Sequence, residues 1–119
     1  MNAGRKDDLS KSQGKQKQVL GTDNIITKFM SLSVQVNAQT KYSVFIFMQG
    51  HVEWIDFRIS ESKTNYNNKI LAVEHLNLNG DKRFEELVYQ LEHILENGEL
   101  DFDKLQEDRG GYIGADYIL

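Results

Sequence analysis

The chain has 119 residues, no cysteine and no proline, and 18 acidic against 14 basic side chains, for a formal net charge of −4. That length allows one domain at most, the absence of thiols excludes a disulfide framework and Cys-ligated zinc, and no apolar run reaches the length a membrane span needs. A cytoplasmic protein is the expectation, since the first residues are too polar for a signal peptide.

Residues 1–20 are rich in Lys, Gln, Ser and Gly and almost free of apolar side chains until Val19. Such a segment cannot bury enough surface to offset its ordering entropy, which predicts a disordered basic arm over 1–20. The single domain is expected over 21–108, with a flexible or docking tail over 109–119.

Residues 26–36 alternate, with Met30, Leu32, Val34 and Val36 on one side and Phe29, Ser31, Ser33 and Gln35 on the other. Period-two alternation predicts a first strand. A second strand is predicted over 42–49 and a third over 52–59, joined by Gly50-His51 as a two-residue hairpin loop. That loop pairs Phe47 with Trp54, Ile46 with Ile55 and Val44 with Phe57. Val44, Ile46 and Met48 then share an apolar side with Ile55, Phe57 and Ile59, and a slip by one residue would reverse every side chain. A polar loop over 60–68 leads to a fourth strand over 69–79.

Residues 81–96 change period. Phe84, Leu87, Val88, Leu91, Ile94 and Leu95 make one helical stripe, with Asp81 placed to cap its start and Gly98 to end its last turn. A short helical turn is predicted over 100–105. The fold class read from these elements is α+β: a four-stranded, mainly antiparallel β-sheet (a meander) with one long C-terminal helix packed on one face.

Two surfaces stand out as candidates for binding. The sheet side away from the helix is predicted to hold Phe29, Phe45, Phe47, Trp54 and Arg58, and aromatic residues among short polar ones form the anchors of protein interfaces. Cross-strand aromatic pairs are equally ordinary sheet stabilisers, and the apolar end of the tail, Tyr112, Ile113, Tyr117, Ile118 and Leu119, could fold over them. The second surface is acidic: residues 85–108 carry nine carboxylates, among them Glu92, Glu96, Glu99, Asp101 and Asp103, against Lys104 alone. The plain reading is a solvated helix face; the sharper one is a field that steers a basic partner.

Other patterns carry little. His75-x-Asn77-x-Asn79-Gly80 followed by Glu86 has the Gly and the final Glu of a calcium loop, but opens on His and places Lys82 and Arg83 beside the ion. The three histidines are scattered and show no metal-ligand spacing. No nucleophile with an adjacent base is visible. An enzyme is therefore not expected, and no cofactor or metal is implied. The expected function is a small binding protein that occupies a surface of a basic, nucleic-acid-handling protein; the abundance of Asn, Lys and Ile matches the usage of AT-rich genomes, which suggests a phage or mobile-element inhibitor. A homodimer is a further option. The alternative is a nucleic-acid-binding accessory protein using the basic arm and the aromatic sheet face.

Overall fold

The computed structural model describes residues 14–48, 51, 53–64, 68–109 and 115–119, with side chains from Ile25 onward. In chain order the elements are α1 (Gly14–Gln39), β1 (Ser43–Met48), β2 (Trp54–Ser60), β3 (Lys69–Asn77), α2 (Arg83–Asn97), a 3-10 turn (Phe102–Lys104), β4 (Gln106–Glu107) and β5 (Tyr117–Ile118).

The α+β class stands, but the four-stranded antiparallel sheet with a single helix is overturned. Two helices cover one face of a five-stranded mixed sheet of order β1-β2-β3-β5-β4. β1, β2 and β3 form an antiparallel meander, β5 runs parallel to β3, and β4 pairs antiparallel with β5. Of the expected arm over 1–20, residues 1–13 lie outside the described residues, and the backbone of 14–20 is the beginning of α1.

The largest correction is at residues 26–36, which are helical. Their apolar positions fit both periods. Ile25, Ile26, Phe29, Leu32, Ser33 and Val36 recur every three or four residues and form a stripe that is wholly or partly buried. The two readings divide at Phe29 and Val34: alternation puts Val34 inside and Phe29 outside, whereas Phe29 is 0% and Val34 68% exposed. The helix wins on tertiary grounds. Its β-branched residues are mediocre helix formers, but burying each large side chain of the stripe is worth about 1.5–3 kcal/mol, and one helix alone would leave part of the sheet uncovered. Thr40 closes the helix, its amide and hydroxyl both donating to the Val36 carbonyl at 3.1 and 2.7 Å.

The core lies between the helices and the sheet. Phe29, Leu32 and Val36 of α1 and Phe84, Leu87, Val88, Leu91 and Ile94 of α2 meet Ile55, Phe57, Ile59, Leu71, Val73 and Leu76 of β2 and β3. The Phe29 ring stands 5.2 Å from both Phe57 and Phe84. α2 matches its predicted stripe and ends at Gly98, which takes the left-handed conformation with φ 84° and donates to the Ile94 carbonyl at 2.7 Å.

Asp81, one residue before the N-cap Lys82, locks the turn into α2. Its carboxylate accepts the amides of Asn77 and Arg83, each at 3.0 Å, and the Arg83 guanidinium at 2.7 Å. Those bonds, the Arg83 side chain first among them, hold the Asp81 carboxyl far below the ordinary carboxylate range. After α2, the buried Gln90 donates to the Asp101 carbonyl at 3.0 Å and accepts the Asp101 amide at 2.8 Å, pinning the chain that leads to β4.

The β1–β2 register differs from the tight-hairpin reading. Phe47 lies opposite Asp56, Ile46 opposite Phe57 and Val44 opposite Ile59. This is a shift of two residues, so each side chain keeps its predicted face. Most of the expected loop, including Gln49, Gly50 and Val52, lies outside the described residues.

Candidate binding surface on the outer face of the sheet

On the sheet face away from the helices, β1 contributes Phe45 and Phe47, and β2 contributes Trp54, Asp56 and Arg58. Phe45 pairs with Arg58 and Phe47 with Asp56 across the ladder. The two phenylalanine rings are nearly parallel, 5° apart with centroids at 6.3 Å. The Arg58 guanidinium lies over both, 4.5 Å from the Phe45 centroid and 5.2 Å from that of Phe47. Such cation–π contacts are worth about 0.5–2 kcal/mol. They hold the guanidinium flat against the sheet, and its buried Nε has no hydrogen-bond partner among the described residues.

Beside this group, Trp54 packs against His75 of β3 with centroids at 4.7 Å and the rings tilted by 49°. His75 sits where the β2–β3 register shifts, with φ +57°, a left-handed conformation uncommon for a residue other than glycine. The position is held from two sides. The Asp56 carboxylate accepts the His75 amide at 2.9 Å, and Arg83 donates to the His75 carbonyl at 2.8 Å and to that of Glu74 at 3.1 Å. The same Arg83–Asp81 unit that starts α2 therefore fixes the shape of the outer face under Trp54. His75 was not singled out in the sequence as a site residue, since nothing in an apolar strand pattern marks a register shift.

The two ends of this face differ. At the Ser43–Ser60 end the loop after β2 folds over, with the Ser43 hydroxyl donating to the Ser62 carbonyl at 3.1 Å and Lys63 donating to the Tyr42 carbonyl. At the other end Phe47 and Trp54 are 45% and 38% exposed. The described end of the tail does not lie over them: Tyr117 and Ile118 join the sheet beside β3, and Tyr117 contacts Phe102 at 5.0 Å. Tyr112 and Ile113 lie outside the described residues.

Of the sequence-derived site residues, the structure brings Phe45, Phe47, Trp54 and Arg58 onto one surface and removes Phe29. Phe29 is in the core between Phe57 and Phe84, because it belongs to a helix and not to the first strand of a sheet. The acidic residues belong to α2, which covers the opposite face of the sheet, and to the segment that follows it. Glu92 pairs with Lys28 of α1 at 3.1 Å, while Glu96, Glu99 and Asp103 are exposed. Asp101 accepts from the Tyr89 hydroxyl, which lowers its carboxyl below the usual value and raises the phenol. α2 thus separates its acidic residues from the aromatic surface, and one flat partner cannot cover both.

Each side carries a depression among the described residues. The depression at Phe47, Asp56, Arg58, Lys69, Ala72 and Glu74 measures about 120 Å³, below the roughly 300 Å³ at which small-molecule sites begin. A wider one of about 410 Å³ lies between α2 and the C-terminal strands, lined by Glu85, Glu86, Tyr89, Gln90, Lys104, Gln106 and Leu119. Its ionisable side chains are Glu85, Glu86, Tyr89 and Lys104. Among the described residues there is no cluster of three metal-ligating side chains, and no helix is long and apolar enough to cross a membrane. Comparison with family models, with curated proteins and with solved structures found no match to this chain.

Proposed function

We propose that this protein is a non-catalytic binding module that seats a protein partner on the outer face of its sheet, with Phe45, Phe47, Trp54 and Arg58 as anchors. The supporting observation is the exposure of Phe47 and Trp54 on strands whose opposite side is packed core. Rigid aromatic side chains and a pre-positioned arginine lose little entropy when a partner covers them, which is the composition of interface hot spots. The carboxylates of α2 and the following segment lie on the other side of the molecule. Their part is long-range: they favour approach of a basic partner without entering the contact.

Trp54→Ala combined with Arg58→Ala tests this reading. A partner captured by the wild-type chain from its native cell should be lost by the double variant while circular dichroism shows it still folded. Neutralising Glu96, Glu99 and Asp103 should slow association while leaving dissociation nearly constant. Retention of the partner by the double variant would defeat the assignment.

One observation favours a nucleic-acid reading: stacked rings under a guanidinium resemble a platform for unpaired bases. Asp56 on the same face, and Glu74 at the rim of the same depression, oppose a phosphate chain. Single-stranded DNA or RNA binding that weakens steeply with salt and vanishes in the double variant would establish this alternative.

A further inference from the structure

β1 is one border of the sheet, and its outer edge is open among the described residues. The direction of its amides follows from one hydrogen bond. The Val44 amide turns away from β2 and donates to Asn37 Oδ1 of α1 at 2.9 Å. Backbone direction repeats every two residues in a strand, so the amides of Ile46 and Met48 point off the same edge. Protein sheets ordinarily blunt such an edge with lysine, proline, a bulge or a very short strand. β1 is Ser-Val-Phe-Ile-Phe-Met, six residues with no charge and no register shift against β2.

The surface beside this edge is apolar as well. Val34 and Met48 are 68% and 67% exposed. A shallow groove of about 260 Å³ runs between α1 and the strand, lined by Ser33, Val34, Asn37, Ala38, Val44 and Ile46. None of these side chains is charged, in a chain whose net charge of −4 repels its own kind elsewhere.

We propose that two copies of this chain pair antiparallel through their β1 edges, forming one continuous sheet with a two-fold axis at Phe47. Asn37 sets that register. It occupies the Val44 amide, which leaves Ile46 and Met48 as the donors, and the symmetric arrangement that uses both places Ile46 opposite Met48 of the second copy and Phe47 opposite Phe47. Each pairing sets apolar against apolar on the same sheet face. An identical copy satisfies this edge because it brings an uncharged strand with the same donor spacing and no like charge to the axis. The exposed side chains of Val34, Phe47 and Met48 beside the edge make this a small interface, near the lower limit for a specific one of about 1,000 Å² in total. This pairing uses the edge of the sheet and does not depend on a partner for its outer face, although Phe47 borders both.

The full chain should show a concentration-dependent monomer–dimer equilibrium by sedimentation, with Kd about 10–100 µM. Met48→Pro removes an outward amide at a position where edge strands tolerate proline, and Met48→Lys places like charges near the axis. Each should weaken the dimer at least about tenfold with circular dichroism unchanged. Because the chain has no cysteine, single-cysteine variants report the register directly. Phe47→Cys should form a disulfide-linked dimer under mild oxidation, since directly opposed residues lie about 4.5–5.5 Å apart, within disulfide reach. Phe45→Cys should not, its two copies being about 13 Å apart along the strands. Trp54→Ala with Arg58→Ala should leave the dimer intact, which separates this inference from the outer-face reading. A monomer at near-millimolar concentration, or cross-linking through Phe45→Cys as rapid as through Phe47→Cys, would overturn it.

Discussion

On the side of the sheet facing the helices, Ile55, Phe57, Ile59, Leu71, Val73 and Leu76 are at most 3% exposed; on the opposite side, Phe47 of β1 and Trp54 of β2 are 45% and 38% exposed. Both faces are rich in large apolar side chains. The difference is what stands opposite among the described residues: two helices on one side, and on the other the loop after β2 at the Ser43–Ser60 end. Hydrophobicity alone therefore does not distinguish a core face from an exposed one. The availability of a covering element does. Substitutions on the inner face should lower stability, and those on the outer face should lower binding at nearly constant stability.

Phe29→Ala offers the sharpest test of that division, because the sequence pattern assigns Phe29 to the outer face and the structure to the core. Its loss should reduce unfolding free energy by about 3–5 kcal/mol in urea titration; a loss below about 0.5 kcal/mol, the level of ordinary surface changes, would return it to the surface. Asp81→Asn should cost about 2–3 kcal/mol, since it weakens a hydrogen-bonded ion pair that positions both α2 and the His75 backbone. The sign of its pH dependence follows from the lowered carboxyl pKa. The contribution is complete above the unfolded-chain value of about 3.9 and fades as pH falls below it. Wild type should therefore lose its advantage over Asp81→Asn on acidification, measured as the gap between their thermal midpoints. Gln90→Ala should cost about 1–3 kcal/mol by stranding the Asp101 amide and carbonyl. His75→Gly should raise stability by up to about 1 kcal/mol through relief of the positive φ. Trp54→Ala should change stability by less than about 0.5 kcal/mol, completing the contrast between the faces.

Much of the middle of the chain was legible. α2 carries an unambiguous stripe and a glycine stop, and the alternation in β1 and β2 places Val44, Ile46, Phe57 and Ile59 inward and Phe45, Phe47 and Arg58 outward. Residues 26–36 were not, because the spacing of Leu32 and Val36 satisfies two periods at once, and only the length of the helix and the space above the sheet choose between them. That one ambiguity had a second effect. Reading the segment as a strand paired with β1 covers the very edge that is open among the described residues, so Val34 and Met48 could not be recognised as surface. Tyr117 and Ile118 form a strand of two residues, too short for any periodic signal, and the parallel pairing with β3 depends wholly on where the rest of the chain brings them. The loop signal at Gly50-His51 suggested a tight turn, but the ladder closes at Met48 and Ile55.

The contact of Phe29 with Phe57 and Phe84 joins three stretches of chain that are far apart in sequence. During synthesis, α1 emerges first and has nothing to lie against until β2 has formed, and its seat is incomplete until α2 leaves the ribosome. Contacts of this separation slow folding relative to local ones, and for that interval the nascent chain displays an unsheltered greasy helix. Until then the apolar stripe from Ile25 through Val36 has only part of its final seat.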